Sequence, residues 1–116
     1  MENINFDDKL INAAMSIIIH AGDARNYIKE ALDFISFYDF KNAEEKLRQA
    51  NEKISIAHKA QTDMIQGEAQ GKGIGYSLLF THAQDTLMTI KSELNISRQL
   101  LKIFKSLDER ISKIEK

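Results

Sequence analysis

The stretch FTHAQDTLMT, residues 80–89, sets His82 and Asp85 among apolar neighbours, three positions apart. On a helix that spacing puts both on one face within about one turn. A neutral imidazole nitrogen is a good nucleophile toward phosphorus near neutral pH, where much of an ordinary histidine population is unprotonated. Phosphoryl transfer asks little more of a protein than position and stabilised charge on the equatorial oxygens. Around the ring, Ala83 leaves room, Gln84 can donate or accept, and Thr81, Thr86 and Thr89 supply hydroxyls. A lone histidine on an apolar face is also commonly a packed core residue, so the spacing leaves both roles open.

Asp85 is harder to assign to packing. A carboxylate in an apolar seam must find a donor, a cation or a proton, because burying it bare costs several kcal/mol. If its helix lines a symmetry axis, copies of Asp85 converge, and a hard divalent cation such as magnesium would relieve their repulsion. Local pairing with a Lys or Arg is the alternative.

The other two histidines carry weaker signals. His20, in IIIHAGDAR, sits among apolar residues beside Gly22 and near Arg25, and His58 lies in IAHKAQT; both read as structural. Arg25 and Gln61 fall on apolar seams, where they are expected to satisfy buried polar groups. Gly22 inside a helix suggests close backbone approach. Competing chemistries lack their motifs: the residues three before the histidines are Ile17, Ser55 and Leu79, so no Glu-x-x-His di-iron pattern exists. There is no His-Glu-x-x-His, phosphate-cradling glycine motif or Gly-x-Ser-x-Gly either.

The elements that position these residues are legible from their punctuation. The 116 residues suit one domain and contain no proline, and four of the five glycines fall between Gly67 and Gly75. Long helices with one main breaking point follow, the loop being QGEAQGKGIG, residues 66–75. Ile11, Ala14, Ile18, Ala21, Ile28, Leu32 and Ile35 mark a first amphipathic helix over about residues 7–37. Asp39 can cap a second, running to about residue 66 with Ala43, Leu47, Ala50, Ile54, Ala57 and Met64 on one stripe.

The third helix, from about residue 76, has two apolar stripes. One holds Leu79, Ala83, Leu87, Ile90, Leu94, Leu101 and Phe104; the other holds Leu78, Ile96, Leu100, Ile103, Leu107 and Ile114, with His82 and Asp85 on it. Together they span roughly 200°, whereas a helix packed on one side needs little more than about 100°. The surplus stripe predicts self-association into a closed ring.

Composition narrows the function classes. Sixteen Lys and Arg against 17 Asp and Glu, with no run of five like charges, argue against a nucleic-acid or anionic-membrane surface. The absence of cysteine removes disulfides, thiolate metal sites and a cysteine nucleophile. No apolar run approaches the roughly 20 residues that span a bilayer, and the acidic start MENINFDDK lacks the pattern of a signal peptide. A cytoplasmic protein is expected.

Three separated segments, IIIHAGDAR, AHKAQTDMIQGEA and SLLFTHAQDTLMT, resemble the IIA component of the bacterial phosphoenolpyruvate-dependent sugar phosphotransferase system (PTS), lactose/cellobiose class. The likeness covers roughly residues 11–94. It implies an all-α, antiparallel up-down-up three-helix bundle, assembling as a homotrimer with the third helices at the centre. Residues 1–116 would be one domain, with a short tail at 1–6 and a helical extension at 95–116.

By the family pattern His82 is the phosphorylated residue, taking the phosphoryl group from phospho-HPr and passing it to a cysteine of the IIB component. The membrane permease IIC is then reached only indirectly. Gln84 helps shape the site, and Asp85 from three subunits holds a divalent cation on the trimer axis. The family commonly reads His-Ala-Gln-Asp-His-Leu-Met; here the second histidine is Thr86, which puts any orienting contact of that ring in doubt while transfer is expected to survive. The transported sugar would be a β-diglycoside such as lactose, cellobiose or chitobiose. Two rivals remain: a histidine phosphotransfer domain, which would place Lys and Gly where Asp85 and Thr86 stand, and a non-catalytic helical adaptor.

Overall fold

The computed structural model describes residues 6–67 and 77–115. Three helices account for nearly all of them: α1 (Phe6–Ser36), α2 (Phe40–Gly67) and α3 (Leu78–Glu115). They form the expected antiparallel up-down-up bundle. Among the described residues there is no strand, and no helix is long and apolar enough to cross a membrane.

One repeat governs the core. Buried positions on α1 are Leu10, Ala14, Ile17, Ala21, Ala24, Ile28, Ala31 and Ile35, alternating steps of four and three. Ala43, Leu47, Ala50, Ile54, Ala57 and Met64 of α2 keep the same rhythm, with half-buried Gln61 filling the gap before Met64. Phe80, Ala83, Leu87, Ile90, Leu94, Ser97 and Leu101 continue it on α3. A shared mean step of about 3.5 residues is the condition for helices to stay in register along a shallow crossing. The alternating alanines of α1 and α2 let those two backbones approach closely, while Ile17, Leu87 and Ile90 are the largest side chains that are fully buried.

This register corrects the α1 stripe. Ile11 and Leu32 are exposed and Ile18 only partly covered, whereas Leu10, Ile17, Ala24 and Ala31 are buried. α1 carries two adjacent apolar stripes, and the one matching α2 and α3 goes inward. On α3, Ala83, Leu87, Ile90, Leu94 and Leu101 are buried as expected; Phe104 is exposed, and Phe80 and Ser97 occupy core positions the pattern reading passed over.

The ends are closed by local hydrogen bonds. Tyr38, at φ 61°, lets its N–H reach the Ile35 carbonyl (2.9 Å) and the Asp39 N–H reach the Phe34 carbonyl (3.0 Å), a Schellman closure of α1 with a non-glycine residue in the left-handed position. Asp39 then caps α2 as expected, its Oδ1 accepting from the Asn42 N–H at 3.2 Å. Ser77 caps α3 through Oγ, which accepts from the Phe80 N–H at 3.1 Å. Gln66 and Gly67, assigned to the loop from sequence, belong to the last turn of α2; residues 68–75 lie outside the described residues.

Gly22 also departs from expectation. A Cβ built there meets nothing within 4 Å, so no close approach inside this chain requires a glycine.

Candidate functional site

The site is built on the first turns of α3. Ser77 fixes where the helix begins, and Phe80, Ala83 and Leu87 anchor it against α1 and α2. With those three inward, the 100° turn per residue sends His82 and Asp85 outward and Gln84 to the opposite flank. His82 and Asp85 are both exposed, and both lie on the surplus apolar stripe as the projection predicts.

Neither side chain is engaged by another described residue. Among the described residues the His82 ring makes no hydrogen bond, and the Asp85 carboxylate makes neither a hydrogen bond nor an ion pair, so the local Lys or Arg partner considered from sequence is absent. Among the described residues no three His, Cys, Asp or Glu side chains of one chain converge to hold a metal ion. Asp85 offers hard carboxylate oxygens of the kind a divalent cation takes.

Two of the three hydroxyls are already occupied. Thr86 Oγ1 donates to the His82 carbonyl and Thr89 Oγ1 to the Asp85 carbonyl, each at 2.8 Å. Both bonds are spent on the helix backbone under the two site residues. Gln84 points toward α2, where the half-buried Gln61 donates Nε2 to its Oε1 at 3.1 Å. That contact fits the expectation that Gln61 satisfies a polar group in the seam. Gln84 stands two positions and about 200° from His82, so within one chain it cannot face the ring.

Arg25 departs from its reading. It is exposed, and it grips Glu93 of α3 with both ends of its guanidinium, Nε to Oε1 at 3.0 Å and a terminal nitrogen to Oε2 at 2.7 Å. These bonds hold the guanidinium above its ordinary pKa. The bridge ties α1 to α3 about three turns beyond His82. His20 behaves structurally, as expected: Nδ1 donates to the Ser16 carbonyl at 2.8 Å. His58 is exposed on α2 and makes no hydrogen bond among the described residues.

Comparison with known proteins bears on this arrangement. Residues 12–105 match the family described as the PTS lactose/cellobiose-specific IIA subunit. The PTS lactose-specific EIIA component of Staphylococcus epidermidis is 38% identical over 98 residues, covering 84% of this chain and 94% of that one. The lichenan-specific phosphotransferase enzyme IIA component of Bacillus subtilis is 31% identical over 104 residues, covering 90% and 94%. Among solved structures, PtcA from S. mutans superposes with a TM-score of 0.83 at 37% identity, covering 87% of this chain and 98% of that one. The PTS cellobiose-specific enzyme IIA from Bacillus anthracis gives 0.82 at 30% identity, covering 92% and 95%.

Proposed function

This chain belongs to the lactose/cellobiose-specific IIA family of the sugar phosphotransferase system, and from that premise we propose that His82 is the residue on which it carries a phosphoryl group. A IIA component is a phosphotransferase of sugar uptake, standing between HPr and IIB. The observation that carries the assignment is the exposed, unengaged imidazole of His82 in a family-matched segment of α3. His20, by contrast, already commits one ring nitrogen to its own helix.

The chemistry is a pair of in-line displacements. A neutral nitrogen of His82 attacks the phosphorus of phospho-HPr; the new N–P bond forms as the N–P bond of the donor histidine breaks, and the other nitrogen of His82 keeps its proton. In the second transfer a cysteine thiolate of IIB forms an S–P bond as the His82 N–P bond breaks. The protein's contribution is placement: a capped, packed start of α3 holds the backbone of His82 and leaves its ring exposed for a docking partner. Leu78, exposed one helical turn before His82 on the same face, offers the kind of apolar surface that suits partners that bind briefly and leave.

The chain acts as a homotrimer with α3 nearest the axis. Support comes from the apolar stripe the subunit leaves uncovered, on which Leu78 is 70% and Ile96 60% exposed. Three Asp85 carboxylates would meet there, and a divalent cation, Mg2+ being the hard-donor choice, would neutralise their mutual repulsion. Gln84 would reach a phosphoryl group only by way of a neighbouring copy. The sugar is a β-diglycoside of the class named for the relatives, and the protein works in the cytoplasm beside its permease.

The test is labelling. Wild type incubated with phospho-HPr acquires acid-labile phosphate, and His82→Ala remains folded and acquires none. Label retained in that variant would overturn the assignment.

A further inference from the structure

The last turns of α3 outrun the rest of the subunit. Lys105, paired with Glu44 at 2.7 Å, makes the final side-chain tie between α3 and another helix among the described residues. Beyond it the helix continues to Glu115, exposed except for a half-covered Asp108. This segment still carries large apolar side chains: Leu107, Ile111 and Ile114, the last of them 82% exposed. Leu107 and Ile111 keep 41% and 44% of their surface exposed, and among the described residues no hydrogen bond or ion pair joins α3 to another helix beyond Lys105.

We propose that this overhang is an assembly element, a parallel coiled coil formed with the same segment of further copies of this chain. Its spacing fits: Leu100, Ile103, Leu107, Ile111 and Ile114 take four steps over 14 residues, a mean of 3.5, the repeat that keeps one seam facing its partners. The seam continues the exposed stripe that runs from Leu78 through Ile96 to Ile103, so copies meeting along the first part are delivered in register to the second. Parallel copies place each residue level with its own counterpart, and the flanks tolerate this because Asp108, Glu109 and Glu115 are interspersed with Arg110 and Lys113. The family match ends at residue 105, short of this last part of the stripe.

This inference rests on the trimeric reading above, and the experiment separates the two. In the full-length chain, Leu107→Asp with Ile114→Asp is compared with wild type by sedimentation equilibrium over a dilution series, with helix content and phosphoryl labelling of His82 followed in parallel. The expected result is an oligomer that dissociates at a concentration at least about tenfold higher in the variant, since two seam residues per copy are lost. Helix content within the bundle and labelling of His82 are retained, and Leu107→Ile with Ile114→Leu behaves like wild type. Equal dissociation of variant and wild type would overturn the coiled coil and leave the trimer standing. A monomeric wild type would overturn both, and loss of labelling in wild type would remove the carrier assignment alone.

Discussion

Gln61 and Gln84, 23 positions apart in sequence, share one hydrogen bond across the seam between α2 and α3, with Gln61 donating at 3.1 Å. It is the direct tie between the flank of the site and the rest of the bundle, and it sits at a core position where α2 would otherwise place an apolar residue.

Replacing Gln61 by Leu should leave the Gln84 carbonyl without its partner and cost about 1–3 kcal/mol, nearer the lower figure because water can reach a half-buried group. Adding Gln84→Leu should recover part of that loss. Urea denaturation of the two single variants and the pair gives the coupling, and strictly additive losses would contradict the bond.

Thr86→Val should leave phosphoryl transfer intact. The hydroxyl is spent on the His82 carbonyl and contributes nothing to the exposed ring, and such back-bonding to the preceding turn adds little to a helix. Unfolding free energy is expected to change by no more than about 0.5 kcal/mol. A large drop in the labelling rate from phospho-HPr would show that the hydroxyl leaves its carbonyl during the reaction.

Chelation should loosen the assembly through Asp85. With no metal-holding cluster around it among the described residues, the carboxylate is expected to share a metal with its counterparts in the oligomer. EDTA should therefore lower the sedimenting mass or the melting temperature of wild type. Asp85→Asn, which removes the repulsion, should be insensitive to it. Metal-free wild type that sediments as the native assembly would remove the axial cation.

The fold was legible where one pattern stood alone. On α2 a single apolar stripe, from Ala43 to Met64, went inward as read. On α1 the consecutive pairs Leu10 with Ile11 and Ile17 with Ile18 offered two stripes, and only the rhythm of the other helices decides between them. Counting the same rhythm from Leu94 to Leu101 would have found Ser97, a small polar residue at a core position. The outward placement of His82 and Asp85 followed from helical projection, but their surroundings did not. The grips of Gln61 on Gln84 and of Arg25 on Glu93 join residues on different helices, and no local spacing announces them.

The length of α3 has a practical side. His82 lies in its second turn and Ile114 near its far end, about 48 Å away at 1.5 Å per residue. A fluorophore or fused domain attached at the distal tip would thus report on the molecule without crowding its docking face, which makes this one rod both the carrier's working surface and its natural handle.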